Sequence, residues 1–421
     1  MTAAYSLAEK NDVTVIEREN FTGGQASVYH IQWDGSEYSI MKTYHHVLDG
    51  DKTTIRFIKI LGLQDKFFKK NIRQGFIYKG ILHGFSTPIE MLKFPIPLID
   101  KIRLAKFILY DVNRADWDKL KNVSAKDWVV NSAGKLNYDI FFSKLARNKF
   151  QIPGEKLSAN WLGTRFVKES KSIRKAFGGL RGGFGQISEG IIAEAVKRGT
   201  KIISGADVLE IQTKNKKSIT YTKGGKKHTI EADAIVSTIA PKIFLKLADK
   251  IGPTIKKKFN NVEYVGCVVA CVGVNIKPSK MYWINVLDDN MPFSVMFNHT
   301  ALYDDAAPPG KSVYYIGRYM PITDELWKLS DSEILEKFIS AVDKIIPGFA
   351  SKVEWKKIVR FANAEVIYYP DFENPPIKDG NGLYFAGVYK IYPKIRNTAS
   401  AIEEGLEVAE EIKKDAEESR L

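Results

Sequence analysis

Cysteine is nearly absent from the 421 residues: only Cys267 and Cys271 occur. Both fall in "VGCVVACVGV", which reads as a buried strand. Four apart on a strand, they point to one face but lie too far apart to bridge easily. They read as small core residues in a reducing compartment, with no disulfide framework. Histidine is scarce too. His30, His45, His46, His83, His228 and His299 show no H-x-x-x-H or Cys/His ligand spacing, so no metal site is expected. No uninterrupted apolar stretch is long enough to span a bilayer. The apolar Met1–Ala8 start lacks the basic flank and long apolar core of a signal peptide. No fixed-period repeat or low-complexity linker is visible. The expected location is cytoplasmic, with a membrane-associated alternative raised below.

What is present is a chain 44% hydrophobic and 27% charged, as in a globular protein of two or three domains at about 150 residues each. Lys plus Arg number 63 against 49 acids, a formal net charge of +14. That balance suits an acidic partner: a phosphate-rich cofactor, an anionic substrate or a membrane surface. No zinc-finger, basic-zipper or RNA-recognition signature accompanies it, and the lysines are spread along the chain. Nucleic acid is therefore not an expected partner; a small-molecule substrate is.

The opening "MTAAYSLAEKNDVTVIEREN" reads as a short helix, a break at Asn11-Asp12, and "VTVI", a β-branched run suited to a buried parallel strand. Glu17 ends that strand. Helix, turn, strand and terminal acid read either as the second half of a dinucleotide-binding βαβ unit, whose acid lies about 20 residues after a glycine turn, or as an ordinary N-terminal helix and strand with a coincidental Glu. Counting back that far passes Met1, so the first strand and a G-x-G-x-x-G turn are expected to be encoded upstream.

Farther on, Asp34-Gly35 predicts a hairpin turn, and Thr53–Leu63 a helix. Residues 76–110 are rich in Phe, Ile and Leu and include a basic "DKIRLAKF". They read either as a helical cap with core-facing aromatics or as a monotopic membrane patch. Residues 113–175 read as helical. A glycine-rich turn leads into a helix ending at Gly199, followed by strands around Gly224-Gly225 and the strand "AIVST". Residues 262–345 form a second strand-rich block ending in a helix from about Asp331. A last strand, Gly387, a loop and a long helix with Asn397 or Thr398 as N-cap complete the pattern.

Three segments form one constellation: "VTVIE" with "TGGQ"; "GADVLEIQ" with "ADAIVSTIAP"; and "GLYFAGVY" with "NTASAIEEG". Together with "LRGGFGQISEGIIAEAVKRG" and "MYWINVLDDNMPFSVMFNHT" they resemble the flavin-containing amine oxidase superfamily. The likeness is strongest to its branch similar to protoporphyrinogen oxidase and phytoene desaturase, related to the UDP-galactopyranose mutases. The resemblance implies an α/β fold, with a Rossmann-like FAD-binding domain interleaved with a mixed-sheet plus helical substrate domain. The expected boundaries are 1–75, 176–261 and 346–421 for FAD binding, and 76–175 and 262–345 for substrate.

Under this resemblance Glu17 binds the adenosine ribose of FAD, and Gly23 and Gly24 form the second glycine pair. Gln25 stands where the family usually has Arg; it keeps a hydrogen-bonding head without the charge. Val208 matches the residue whose backbone reads adenine, and Ala240-Pro241 ends a strand returning toward the cofactor. Gly387 lets backbone approach the flavin, and Val388 stands where many relatives have an acid. The helix beginning near Asn397 and Thr398 aims its N–H groups at the isoalloxazine. Tyr44, His45, His46, His299, Arg318, Tyr368 and Tyr369 are substrate-pocket candidates. The implied activity is hydride transfer to flavin from a bulky, apolar substrate. A mutase-like reaction on a nucleotide sugar, or a non-catalytic protein with impaired FAD binding, are the alternatives.

Overall fold

A computed structural model describes residues 1–48, 50–173, 176–214 and 216–418. Its largest sheet has seven strands. In spatial order they are Val353–Val366, Tyr264–Val274, Ser312–Met320, Val295–Asn298, Met281–Val286, Arg73–Tyr78 and Ile81–Gly84. All neighbours are antiparallel except Met281–Val286 beside Arg73–Tyr78, which is parallel.

The Tyr264–Val274 strand shows why the sheet sits where it does. It is apolar at every position, as a strand covered on both faces must be. Val268, Ala270, Val272 and Val274 enter one core, with Ile334, Phe338 and Val342 of the helix Asp331–Asp343. Cys267, Val269 and Cys271 enter the main core on the other face. The period of two thus feeds two hydrophobic layers. Both cysteines are free and buried. Ser330 and Glu333 close a capping box at the start of the Asp331–Asp343 helix.

Four short strands form two parallel pairs: Thr14–Ile16 with Lys201–Ile203, and Ile235–Ser237 with Leu383–Phe385. The first is parallel as expected but only half-buried; among the described residues it pairs on one side only. Local turn chemistry holds. The strands Val28–Trp33 and Ser36–Met41 pair around Asp34 at φ 49° and Gly35 at φ 78°, the left-handed pair that a two-residue hairpin requires.

One expectation changes. The segment from residue 76 starts as strand and becomes helical only at Pro88–Lys93 and Leu98–Lys106, because its first residues add edge strands to the large sheet. Beyond the boundary expected at residue 346, Val353–Val366 hydrogen-bonds along nearly the whole of Tyr264–Val274, a ladder shared with the 262–345 block.

Candidate active site

The large sheet, the first hairpin and the start of the long C-terminal helix meet at a small hollow of about 40 Å³, room for a few waters. Gln25, Tyr44, His45, Arg318, Tyr319 and Arg396 line it. Beside it lies a buried ionic cluster. Glu365, with a side chain 2% exposed, accepts from Lys149 at 3.0 Å and from Arg396 Nε at 3.3 Å. Arg396 also donates to Gln25 Oε1 at 2.6 Å and to Tyr319 Oη at 3.2 Å. Burial alone pushes the Glu365 carboxyl up, but the charges of Lys149 and Arg396 reverse this and hold it below its usual range. Burial lowers the Lys149 ammonium to about 8 despite Glu365.

Three of the expected pocket side chains line the hollow. Tyr44 stacks on Phe297 with ring centroids 3.7 Å apart, and burial raises its pKa. His45 Nδ1 lies 3.0 Å from the Thr43 carbonyl. A carbonyl only accepts, so Nδ1 carries the hydrogen and Nε2 keeps the lone pair. Burial lowers the His45 pKa to about 4. Arg318 pairs with Asp324 at 3.2 Å.

The remaining candidates stand back from the hollow. His46 Nδ1 meets Tyr282 Oη at 3.1 Å. His299 stacks on Tyr303 at 4.4 Å with its Nδ1 unpartnered, and Tyr303 donates to the His45 carbonyl at 3.0 Å. Burial lowers both His46 and His299 to about 3. Tyr368 donates to the Val388 carbonyl at 2.9 Å. Tyr369, half-buried against the main core, donates its hydroxyl to the Glu263 carboxylate at 2.6 Å in an exposed pair.

Of the expected cofactor residues, Glu17, Ala240, Gly387 and Val388 follow the carboxyl ends of the two parallel pairs, where α/β folds bind nucleotides. Glu17 follows the first pair. Its carbonyl accepts from Ala206 at 3.0 Å, which brings it to the start of the strand Asp207–Gln212 that carries Val208. Its carboxylate accepts from Glu19 N at 2.9 Å. Gly23 and Gly24 have φ of +99° and +54°, and a Cβ on Gly24 would meet nothing within 4 Å. At the second pair, Ala240 precedes the helix Pro241–Leu247. Gly387 directs its N–H toward Glu404 at 3.4 Å, and a Cβ there would strike the Tyr389 ring at 2.5 Å. The helix Thr398–Glu418 begins at a reciprocal cap: Ser400 N donates to Asn397 Oδ1 at 2.9 Å, and Asn397 N donates to Ser400 Oγ at 3.0 Å. Asn397, not Thr398, is the N-cap.

Gln25 is engaged on both sides of its amide. Its Nε2 donates to the Ala364 carbonyl at 3.3 Å and its Oε1 accepts from Arg396, so both ends are held by protein groups. The positive charge absent at position 25 stands beside it in space, on Arg396. In the same way Glu404, paired with Lys390 at 3.1 Å, brings a carboxylate next to Val388. Arg396, Glu365, Lys149 and Tyr319 escaped the sequence reading. Only Arg396, next to the expected helix cap, carried a positional hint.

Comparison with known proteins now adds to this geometry. Residues 1–413 match the family model described as flavin containing amine oxidoreductase. The chain belongs to that family, and FAD is the family's cofactor. No curated protein matches the sequence significantly. Solved structures share the fold at low identity. A candidate protoporphyrinogen oxidase from Exiguobacterium sp. 255-15 is 14% identical with a TM-score of 0.75, over 98% of this chain and 96% of that one. An oxidoreductase from Methanosarcina mazei is 16% identical at 0.72, over 97% of each chain. Reduced UDP-galactopyranose mutase is 14% identical at 0.72, over 98% and 92%.

The residues present fit the two ends of FAD. Glu17 and the open Gly23-Gly24 turn offer a ribose end, and Gly387 with the capped helix start offers a flavin end. Two buried hydroxyls without partners, Ser237 Oγ and Tyr389 Oη, belong to the carboxyl-end region of the second parallel pair, where a polar ligand would satisfy them. The 421 residues contain no G-x-G-x-x-G, so they hold no such turn for the pyrophosphate.

Proposed function

We propose that this protein is an FAD-dependent oxidoreductase of the oxidase or desaturase type, acting on a bulky, apolar substrate. The observation that carries the reading is the hollow where Tyr44, His45 and the Arg396–Glu365–Lys149 cluster converge next to the helix cap at Asn397. Bound flavin supplies a hydride acceptor. The chain's own residues position and exclude. Tyr44 and Tyr319 give aromatic and aliphatic-compatible walls, and His45, neutral with an Nε2 lone pair, can accept a proton. Arg396, compensated by Glu365, supplies fixed positive charge near the helix start, suited to stabilising negative charge there. Glu17, Gly23, Gly24, Gly387 and the Asn397-capped helix would hold the cofactor.

The mutase-type alternative calls for arginines free to clamp a diphosphate. The two arginines lining the hollow are each tied to a carboxylate, Asp324 or Glu365, which favours the oxidoreductase reading. Purified protein supplied with FAD should show a flavin spectrum that bleaches anaerobically with an apolar amine or polycyclic donor. Bleaching only by an external reductant, followed by turnover of a nucleotide sugar, supports the mutase instead. A colourless, folded protein in excess FAD overturns both.

A further inference from the structure

The outer face of residues 81–114 is apolar where a solvated face should be polar. Among the described residues sixteen large hydrophobic side chains are exposed, and eight of them fall between Ile81 and Tyr110. Scattered apolar side chains need no explanation, but a cluster does. Ile89, Leu92, Leu98, Ile99, Ile102 and Leu109 are each at least 54% exposed. Leu98–Lys106 runs without a break through a π turn, Phe107–Asp111, into Val112–Arg114. On it Leu98, Ile102 and Leu109 recur at helical spacing along one side. Leu104, Phe107 and Val112 are buried on the other. A helix apolar on both faces is expected only where something covers both.

The inner face is firmly anchored. Phe94 is 1% exposed, and its ring meets those of Phe76, Tyr78, Phe85 and Phe141 within 6.1 Å. The outer side chains are therefore displayed on a fixed platform. The rim is basic. Residues 79–114 contain Lys79, Lys93, Lys101, Arg103, Lys106 and Arg114 against Glu90, Asp100 and Asp111. The three acids are neutralised locally by Arg73, Arg103 and Lys106. Arg114 lies over the Tyr110 ring at 4.1 Å, an aromatic–cation pair suited to a boundary between apolar and polar phases.

We propose that this face docks on an anionic lipid bilayer, with Ile89, Leu92, Leu98, Ile102 and Leu109 entering the acyl boundary and the basic rim meeting the headgroups. The charge selects this occupant. A second copy placed on the same face by two-fold symmetry would set basic rim against basic rim. Among the described residues no helix is long and apolar enough to cross a membrane, so the contact is in-plane.

The test is co-sedimentation of the full chain with phosphatidylglycerol/phosphatidylcholine vesicles and with phosphatidylcholine alone. Salt is set at about 10 mM and about 1 M, where charge is screened over about 30 Å and 3 Å. Binding is expected on the anionic vesicles at low salt, weakening at high salt and on neutral lipid. The triple variant Leu98→Ser/Ile102→Ser/Leu109→Ser should bind about tenfold more weakly or worse, with thermal unfolding near that of the parent because these side chains are already exposed. The surface pair Lys93→Glu/Arg114→Glu, which leaves the apolar face intact, should also reduce anionic binding severalfold, and it keeps the proposal testable if the triple variant misfolds. Failure to sediment at low salt, or equal binding by the folded variants, overturns the proposal. So does a dimer seen by ultracentrifugation that the triple variant abolishes while vesicles bind neither protein.

Discussion

Arg396 donates to the side-chain oxygen of Gln25 at 2.6 Å, across 371 residues of chain. This contact ties the second glycine turn to the start of the C-terminal helix and places a buried cation beside the hollow. The cation is tolerated because Glu365 faces it; removing Glu365 strands Arg396, and removing Arg396 leaves Glu365 with Lys149 alone.

Replacing Arg396 by Ala should therefore destabilise the fold. Breaking a buried pair costs about 3–5 kcal/mol, and the value here should fall toward the lower end because Lys149 still faces Glu365 at 3.0 Å. Lys149→Met should cost less than Arg396→Ala. Burial already holds the Lys149 pKa down to about 8, so its charged form, still the major one at neutral pH, is less favoured in the fold than in water. Urea unfolding of the two variants checks the order, and a larger loss for Lys149→Met contradicts it.

Acid should weaken the fold between about pH 6.5 and pH 3–4. Burial is the main cause that lowers His45 to about 4 and His46 and His299 to about 3. Mutual repulsion of His45, His46 and His299, with Arg396 and Arg165 nearby, adds to it. In the unfolded chain each titrates near 6.5. Between those values the unfolded state binds more protons, so stability is fully present above about 6.5 and is lost as pH falls through the folded values. The slope is about 1.4 kcal/mol per pH unit for each histidine. His299→Phe removes one titrating ring and the unpartnered Nδ1, and should flatten the acid limb of a midpoint-against-pH curve. An unchanged limb would show that His299 is not neutral in the fold.

The chain shows which physical signals are local. Asp34-Gly35 announced its hairpin because two residues with left-handed φ determine a tight turn by themselves. The Ser330/Glu333 box and the Asn397/Ser400 cap likewise act over three residues. The apolar run at 264–274 announced a buried strand, but nothing in it names its partners. Its pairing with 353–366 depends on contacts some ninety residues apart, and 353–366 alternates too weakly to declare its sheet. The ionic cluster was the least legible part. Lys149 sits in "SKLARNKF" and Glu365 in "ANAEV", where each reads as an ordinary solvated charge. Only the fold reveals that they are buried together. Tyr369 neighbours the buried Tyr368 in sequence, but its hydroxyl ends on an exposed pair with Glu263.

Steric demands differ sharply between two glycines, and substitution should show it. At Gly183, φ is +99° and an added Cβ would lie 2.8 Å from the Ser39 carbonyl oxygen, a backbone atom with little freedom to yield. Gly183→Ala combines that clash with a left-handed backbone, itself costing about 1–2 kcal/mol. Gly24→Ala meets open space and bears only the conformational cost. Gly183→Ala should lower the thermal midpoint clearly more, and similar midpoints would sink the argument.

The last expectation joins cofactor to stability. FAD that binds the folded and not the unfolded chain should raise the unfolding free energy as RT ln(1 + [L]/Kd), about 2.7 kcal/mol at a hundredfold excess over Kd. Glu17 is placed to contribute through its carboxylate, which accepts from the Glu19 amide at 2.9 Å. A carboxylate accepting from ribose hydroxyls gives charge-assisted bonds, and an amide at the same place gives weaker neutral ones. Glu17→Gln should therefore leave the FAD-free thermal midpoint nearly unchanged and shift the FAD titration of that midpoint to roughly tenfold higher concentration, since a loss of about 1.4 kcal/mol is tenfold in affinity. Thermal melts across an FAD series read both quantities from one experiment. If the parent midpoint rises with FAD but the variant curve overlays it, Glu17 does not touch the ribose. If neither midpoint moves at any concentration, the chain tested does not bind the cofactor of its family.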